Sequence, residues 1–182
     1  MSLKLTPITE TIGTHVHGID LSKTVSYSDF ELIHRAWMDT TLLLFRDQNI
    51  TPAQQIEFTK RFGEIVAYYD PTEKSLPGHP EVLLLSNIGD DGKPSGKSTS
   101  AYLWHVDGHY LPEPPVGSML YSIIVPPEGG DTWFTNTKSA YEALPDNTKE
   151  KIEGLKIVIS RVQSRPYNFP EKPPVTDEQR AA

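Results

Sequence analysis

The feature that most constrains this chain is a histidine and a carboxylate two positions apart, in the segment Trp104-His105-Val106-Asp107-Gly108. The flanking residues predict a β-strand, and in a strand the side chains at positions i and i+2 project from the same face. His105 and Asp107 would therefore point in one direction and converge on a single ion. Gly108 ends the segment with a residue that lets a ligand approach the backbone closely.

Imidazole and carboxylate are two of the three ligands of the 2-His-1-carboxylate facial triad, which binds non-haem Fe(II) and leaves coordination positions open. A third ligand is not evident, because the six histidines are residues 15, 17, 34, 79, 105 and 109. In an extended strand the Cα atoms of His105 and His109 would lie about 13 Å apart, too far to share an ion unless Gly108 bends the chain. We therefore interpret His109 as a residue that lines a substrate pocket.

The composition restricts the class of protein. A chain of 182 residues can form one domain with a substantial core. The net charge of −7 argues against a general nucleic-acid-binding protein, because phosphate affinity requires clustered Lys and Arg. The sequence has no cysteine, which excludes disulfides and thiolate metal sites and agrees with a reducing compartment. With no apolar run of membrane-spanning length and no signal-peptide pattern, we expect a cytoplasmic protein without nucleic-acid or membrane partners.

Turn and capping residues predict a single α+β domain over residues 1–182, with a β-sandwich or barrel-like core. Strands are predicted within 12–21 and over 41–46, 82–86, 119–125, 131–135 and 156–162. Helices are predicted from the Ser28 capping box to about Met38, from Thr51 to Gly63, and over 139–144 and 147–154. Residues 87–100 are a candidate active-site lid. Residues 163–182 are interpreted as an irregular or frayed tail.

Several motifs follow one another along the chain in a fixed order. They are Leu103-Trp104-His105-Val106-Asp107, Ser118-Met119-Leu120, Val125-Pro126-Pro127-Glu128-Gly129-Gly130-Asp131-Thr132 and Ala140-Tyr141-Glu142-Ala143-Leu144-Pro145. Further matching segments are 12–13, 18–21, 44–48 and 61–64. From about residue 5 to about residue 162, the chain resembles the taurine / 2,4-dichlorophenoxyacetate dioxygenase family of Fe(II)- and 2-oxoglutarate-dependent oxygenases.

The resemblance implies a double-stranded β-helix (jelly roll) with flanking helices, ending before the last core strands. It implies that His105 and Asp107 are iron ligands and catalytic residues, and that Thr132 binds the distal carboxylate of 2-oxoglutarate. The alternative for Thr132 is local hydrogen bonding in a turn. Fe(II) would be the metal, with 2-oxoglutarate and O₂ as cosubstrates. The implied reaction hydroxylates a C–H bond of a small, anionic organic substrate.

Substrate-side residues are indicated more weakly. Tyr68, Tyr102 and His109 flank the site in sequence and are candidates for a substrate wall, although ordinary core or surface positions are the alternative. In taurine-specific members a His and an Asn face the substrate, and Tyr68 and Ala101 take those places here, which argues against taurine. The resemblance leaves homo-oligomerisation open, since nothing in the sequence marks an interface.

The family takes its second histidine and a carboxylate-binding arginine from a C-terminal part of the chain. Here no histidine follows residue 109, and Arg161, Arg165 and Arg180 lie in no matching context. We therefore expect these residues to be the N-terminal portion of a longer dioxygenase. Two alternatives are a catalytically inactive fragment that retains two metal ligands and a cupin-like metal-binding module that uses His109.

Overall fold

The computed structural model describes residues 2–66, 75–88, 92–93, 104–168, 174 and 176–177. Its elements, in chain order, are β1 (Lys4–Pro7), β2 (Thr14–His17), α1 (Tyr27–Thr40), β3 (Leu43–Phe45), α2 (Pro52–Lys60), β4 (Ser75–Leu76), β5 (His79–Leu83), α3 (Thr137–Glu142), α4 (Asp146–Ile152) and α5 (Arg161–Asn168). This arrangement confirms the predicted α+β class. Within the described ranges, no helix is both long and apolar enough to cross a membrane.

The N-terminal strands form a three-stranded sheet in the order β1-β2-β3. β1 runs antiparallel to β2, with Lys4 opposite His17, and β3 runs parallel to β2. Thr14 and Val16 of β2 are buried, whereas His15 and His17 are only partly buried. This alternation follows from the period of two in a strand. It confirms the strand predicted within residues 12–21.

Helix α1 begins earlier than the sequence predicted. Its N-cap is Ser26 rather than Ser28, because the Ser26 hydroxyl accepts a hydrogen bond from the Asp29 amide at 3.0 Å. The helix also extends beyond Met38 to Thr40, and the Thr41 amide donates to the carbonyl of Trp37 at 2.7 Å. The predicted helix is present, but it begins two residues earlier and ends two residues later than predicted.

Helix α2 begins where the sequence placed it. The Gln54 amide donates to the Thr51 hydroxyl at 3.3 Å, and the Thr51 amide donates to the Gln54 side chain at 2.8 Å. These two bonds form a capping box, and Pro52 fits the first helical position because its ring fixes a helical φ. The helix ends at Lys60, three residues before the predicted end at Gly63.

The core lies between the three-stranded sheet and helices α1 and α2. It contains Val16 from β2, Ile33 from α1, which is fully buried, and Phe58 from α2. Phe62 packs edge-on against Phe30 and Phe58, with ring centroids 4.9 Å and 5.4 Å apart. We call this unit, from β1 to Phe62, the N-terminal body.

The predicted strands in the second half of the chain are wrong. Residues 119–125, 131–135 and 156–160 form no strand, and neither do residues 104–106 beside the His-Asp pair. Ile123, Ile124 and Val125 are 74%, 88% and 72% exposed. Apolar strand residues are stabilised by cross-strand neighbours and burial, which these side chains do not find in the described part of the chain.

β3 lies within the strand predicted over residues 41–46 and confirms it. β5 covers His79–Leu83 rather than the predicted residues 82–86, and among the described strands it pairs with β4 alone. The described strands make one three-stranded and one two-stranded sheet, which do not by themselves close a jelly roll.

The C-terminal helices α3 and α4 lie close to their predicted positions. Helix α5 was missed, because its Pro166 and the prolines that follow it favoured an irregular tail from residue 163. Ser160 supplies the start signal, since its hydroxyl accepts a hydrogen bond from the Gln163 amide at 3.3 Å. Pro166 has a φ compatible with a helix, but it lacks the amide that would donate to the carbonyl of residue 162, and its ring crowds that carbonyl.

Candidate metal centre

His105 and Asp107 meet in the structure, although their segment is not a strand. The Nε2 atom of His105 lies 3.2 Å from the Oδ1 atom of Asp107, and the side chains are 45% and 61% exposed. The segment before Asp107 has no assigned secondary structure, and a turn follows over residues 107–110. The predicted convergence of the two side chains is therefore present, although residues 104–106 pair with no strand in the described part of the chain.

The separation of these two donor atoms fits a shared metal ion. Two ligands at right angles, each with a bond of about 2.1 Å, have donor atoms about 3.0 Å apart. The observed 3.2 Å needs only a small adjustment. An imidazole nitrogen and a carboxylate oxygen together form a donor set that suits Fe(II).

No third side chain completes this pair in the described residues. Among them, no group of three or more His, Cys, Asp or Glu side chains is placed to hold a metal ion. His109 instead contacts the Val106 carbonyl through Nδ1, and its ring centroid lies 6.3 Å from that of Tyr110. Because a carbonyl only accepts, Nδ1 carries the proton in this contact. The geometry gives no support to a metal module that uses His109.

Gly108 makes the turn possible for two separate reasons. Its φ is +65°, a conformation that other residues adopt only with strain. A Cβ atom at this position would lie 2.7 Å from Cδ of Pro115. The close approach that the sequence predicted at Gly108 is therefore made by Pro115 rather than by a ligand.

Ser118 is a site residue that the sequence reasoning missed. Its hydroxyl donates a hydrogen bond to Oδ2 of Asp107 at 2.8 Å, while Oδ1 of the same carboxylate faces His105. The contact joins residues eleven positions apart. Ser118 belongs to one of the family motifs, but nothing in the sequence indicates which group it contacts.

The described contacts do not bring Thr132, the predicted cosubstrate residue, to the His105–Asp107 pair. Thr132 is exposed and follows a turn in which Gly129 and Gly130 have φ of +71° and +74°. Tyr68, Tyr102 and most of the predicted lid lie outside the described residues. The assigned roles of Thr132, Tyr68 and Tyr102 stay predictions.

The other histidine pair is separate from the His105–Asp107 pair. The rings of His15 and His17 have centroids 3.8 Å apart, and the Thr6 hydroxyl lies 2.8 Å from Nε2 of His17. Burial lowers the pKa of His15, and the nearby His17 and Arg46 lower it further. Both histidines lie on the partly buried face of β2, where they contact each other.

Comparison with known proteins identifies the family. The family described as "Taurine catabolism dioxygenase TauD, TfdA family" matches residues 4–181. The chain belongs to this family. That result confirms the resemblance based on the motifs.

Three relatives show how much of the family fold is represented. The chain is 29% identical over 174 residues to an α-ketoglutarate-dependent 2,4-dichlorophenoxyacetate dioxygenase of Cupriavidus pinatubonensis, covering 91% of this chain and 61% of that protein. A taurine dioxygenase from Burkholderia xenovorans superposes with a TM-score of 0.69 at 31% identity, covering 85% of this chain and 52% of that one. AAD-2, in complex with Mn(II) and N-oxalylglycine, has a TM-score of 0.68 at 26% identity, with coverages of 93% and 64%. The chain thus spans less than two thirds of each relative.

Proposed function

We propose that this chain belongs to an Fe(II)- and 2-oxoglutarate-dependent dioxygenase that hydroxylates a C–H bond of a small, anionic organic substrate. The observation that carries the proposal is the 3.2 Å approach of His105 Nε2 and Asp107 Oδ1 within a family-matched segment. A structural relative holds Mn(II) with N-oxalylglycine. That compound differs from 2-oxoglutarate only by an NH in place of one CH₂, which supports 2-oxoglutarate as the cosubstrate here.

The proposed site residues have three separate roles, which are to bind the metal, the cosubstrate and the substrate. His105 and Asp107 would hold the metal, and the Thr132 hydroxyl would donate a hydrogen bond to the distal carboxylate of 2-oxoglutarate. Bound Fe(II), with 2-oxoglutarate and O₂, supplies the oxidising chemistry. Tyr68, Tyr102 and His109 would line the substrate pocket, orient the substrate and exclude water. Specificity within the class would depend on these residues.

The proposed catalytic unit includes more than the 182 residues described by this sequence. We place the third metal ligand and the carboxylate-binding arginine outside this sequence, in one jelly-roll domain of which residues 1–182 form the N-terminal portion. The family match over residues 4–181 and the 61% coverage of the Cupriavidus enzyme support this arrangement. A cytoplasmic location agrees with the cysteine-free sequence.

A catalytically inactive fragment is the second candidate. It is favoured by the lack of a third metal-ligating side chain near the pair within the described ranges. It is also favoured by exposed apolar residues such as Ile124, at 88% exposure. Such a chain would retain two ligands and weak metal affinity, without turnover.

An anaerobic titration with Fe(II) and 2-oxoglutarate tests the proposal, with the visible charge-transfer band of the chelated cosubstrate as readout. The 182-residue chain is compared with a longer chain that carries a later histidine and arginine. We expect a saturable band in the longer chain that His105→Ala abolishes and His79→Ala leaves intact. A longer chain without a band, or a band that survives His105→Ala, would contradict the proposed site.

A further inference from the structure

We propose that Ser118 is a positioning residue for the metal site: it holds the Asp107 carboxylate so that Oδ1 faces His105 and the ion. The metal part of this inference rests on the function proposed above. The orientation of Asp107 does not, because it can be measured without metal.

The geometry of the carboxylate supports the assignment. Oδ2 of Asp107 accepts the Ser118 hydroxyl at 2.8 Å, and Oδ1 lies 3.2 Å from Nε2 of His105. The two oxygens are fixed relative to each other in one plane, so a bond to Oδ2 sets the direction of Oδ1. The last torsion of an aspartate is otherwise broad, and this side chain is 61% exposed. In the described contacts, Ser118 is the group that orients this carboxylate from the side opposite His105.

The chain on both sides of Ser118 is held against the N-terminal body. A Cβ atom on Gly117 would lie 2.9 Å from Cζ2 of Trp37 in α1, so backbone and indole are in close contact. On the other side, the Met119 carbonyl accepts a hydrogen bond from the Gln55 side chain at 3.3 Å, and its sulfur accepts one from Thr59 at 3.1 Å. Ser118 is thus fixed between contacts to two helices.

Tyr121, two residues after Met119, makes a further contact that holds the same segment in place. The Tyr121 hydroxyl donates to the Gln48 carbonyl at 3.1 Å, and its ring packs against the core cluster with Met119. We call residues 117–121 the anchor segment. Through it, the buried core of the N-terminal body determines where Ser118 lies, and Ser118 determines how Asp107 is oriented.

Loss of such a hydrogen bond is expected to lower metal affinity by a characteristic factor. Hydrogen bonds that orient metal ligands typically contribute about 10–100-fold to metal affinity. Ser118→Ala should therefore weaken metal binding by that factor, while Ser118→Thr retains the hydroxyl and should restore most of it. A general structural role would not be rescued in this selective way.

The test uses the complete 182-residue chain with two readouts. Mn(II) alone is the metal probe, and its free concentration is followed by electron paramagnetic resonance. Three-bond Hα–Hβ couplings of Asp107 in the metal-free protein report whether χ1, the torsion that places its carboxylate within reach of Ser118, occupies one rotamer. Ser22→Ala is the matched control, because the Ser22 hydroxyl also donates to an aspartate carboxylate, that of Asp20, at 2.5 Å near the surface.

We expect one Asp107 rotamer in the wild type and in Ser118→Thr, rotamer averaging in Ser118→Ala, and about 10–100-fold weaker Mn(II) binding in that variant alone. Averaged couplings in the wild type, or couplings unchanged by Ser118→Ala, would overturn the assignment. If Asp107→Ala does not weaken Mn(II) binding, the proposed metal site fails, and the couplings alone then decide the role of Ser118.

Discussion

The N-terminal body and the apolar segments that follow Tyr121 differ in how far their hydrophobic side chains are buried. Val16 and Ile33 of the N-terminal body are 3% and 0% exposed, whereas Ile124 and Ile157 are 88% and 87% exposed. In both regions the apolar pattern predicted strands, within residues 12–21 and over 119–125 and 156–162. Only the first has its partner elements close by in the chain, because β2, α1 and α2 supply the opposing surfaces.

This difference shows that apolar content alone does not produce a strand or a core. Burial of an isoleucine requires an opposing surface, and a strand requires a neighbour for its backbone hydrogen bonds. Exposed apolar patches mark surfaces that normally contact something else. The segments after Tyr121 therefore depend on partners that the described residues do not provide.

The largest expected effect is in the core of the N-terminal body. Ile33→Ala should lower the free energy of unfolding by about 2–5 kcal/mol, because it leaves a cavity in a fully buried site. Ile124→Ala is the matched control and should change stability by less than about 0.5 kcal/mol. Urea unfolding measures both. Equal losses at the two positions would break the distinction between the regions.

The turn over residues 107–110, directly after the His105–Asp107 pair, should show the next largest effect. Gly108→Ala imposes both an unfavourable φ and a 2.7 Å approach to Pro115, so we expect a loss of more than about 1 kcal/mol together with weaker Mn(II) binding. Gly154→Ala is the control, since its φ is +73° but its Cβ would meet nothing within 4 Å. Similar stability losses in both variants would show that packing against Pro115 contributes nothing.

A smaller effect is expected at the start of α2. Thr51→Ala removes the hydroxyl that accepts the Gln54 amide, and should cost about 0.5–2 kcal/mol in urea unfolding. Thr51→Ser keeps the hydroxyl and serves as the control. An alanine variant as stable as the serine variant would mean that the capping box does not stabilise the N-terminal body.

The smallest effect concerns an exposed carboxylate. Hydrogen bonds from Ser22, followed by Lys23, lower the pKa of Asp20 to about 2. Because the folded pKa lies below the ordinary value of about 3.9, this contribution to stability is present above that pH and is lost as the pH falls through about 2. NMR titration should show the Asp20 pKa rising in Ser22→Ala. A pKa that stays unchanged would assign the shift to Lys23 and the Ser22 backbone amide instead.

Local signals predicted the parts of the fold whose partners are near in sequence. The Thr51–Gln54 capping box could be read directly, because both bonds join residues three positions apart. The predicted strand over 119–125 failed, since its pairing partners are not within the described chain. The convergence of the His105 and Asp107 side chains was predicted and is present at 3.2 Å, whereas the strand predicted around them is absent from the described residues and their role as metal ligands stays a prediction. The Ser118 contact could not be predicted, because a hydrogen bond across eleven residues depends on how the anchor segment packs.

Paramagnetic NMR with substoichiometric Mn(II) tests most directly whether His105 and Asp107 form the metal site. The central claim predicts that the signals of His105 and Asp107 broaden first and that Asp107→Ala removes this effect. The His15–His17 pair on β2 provides the internal comparison. Broadening that begins at His15 and His17, while His105 and Asp107 stay sharp, would contradict the claim and move metal binding to β2.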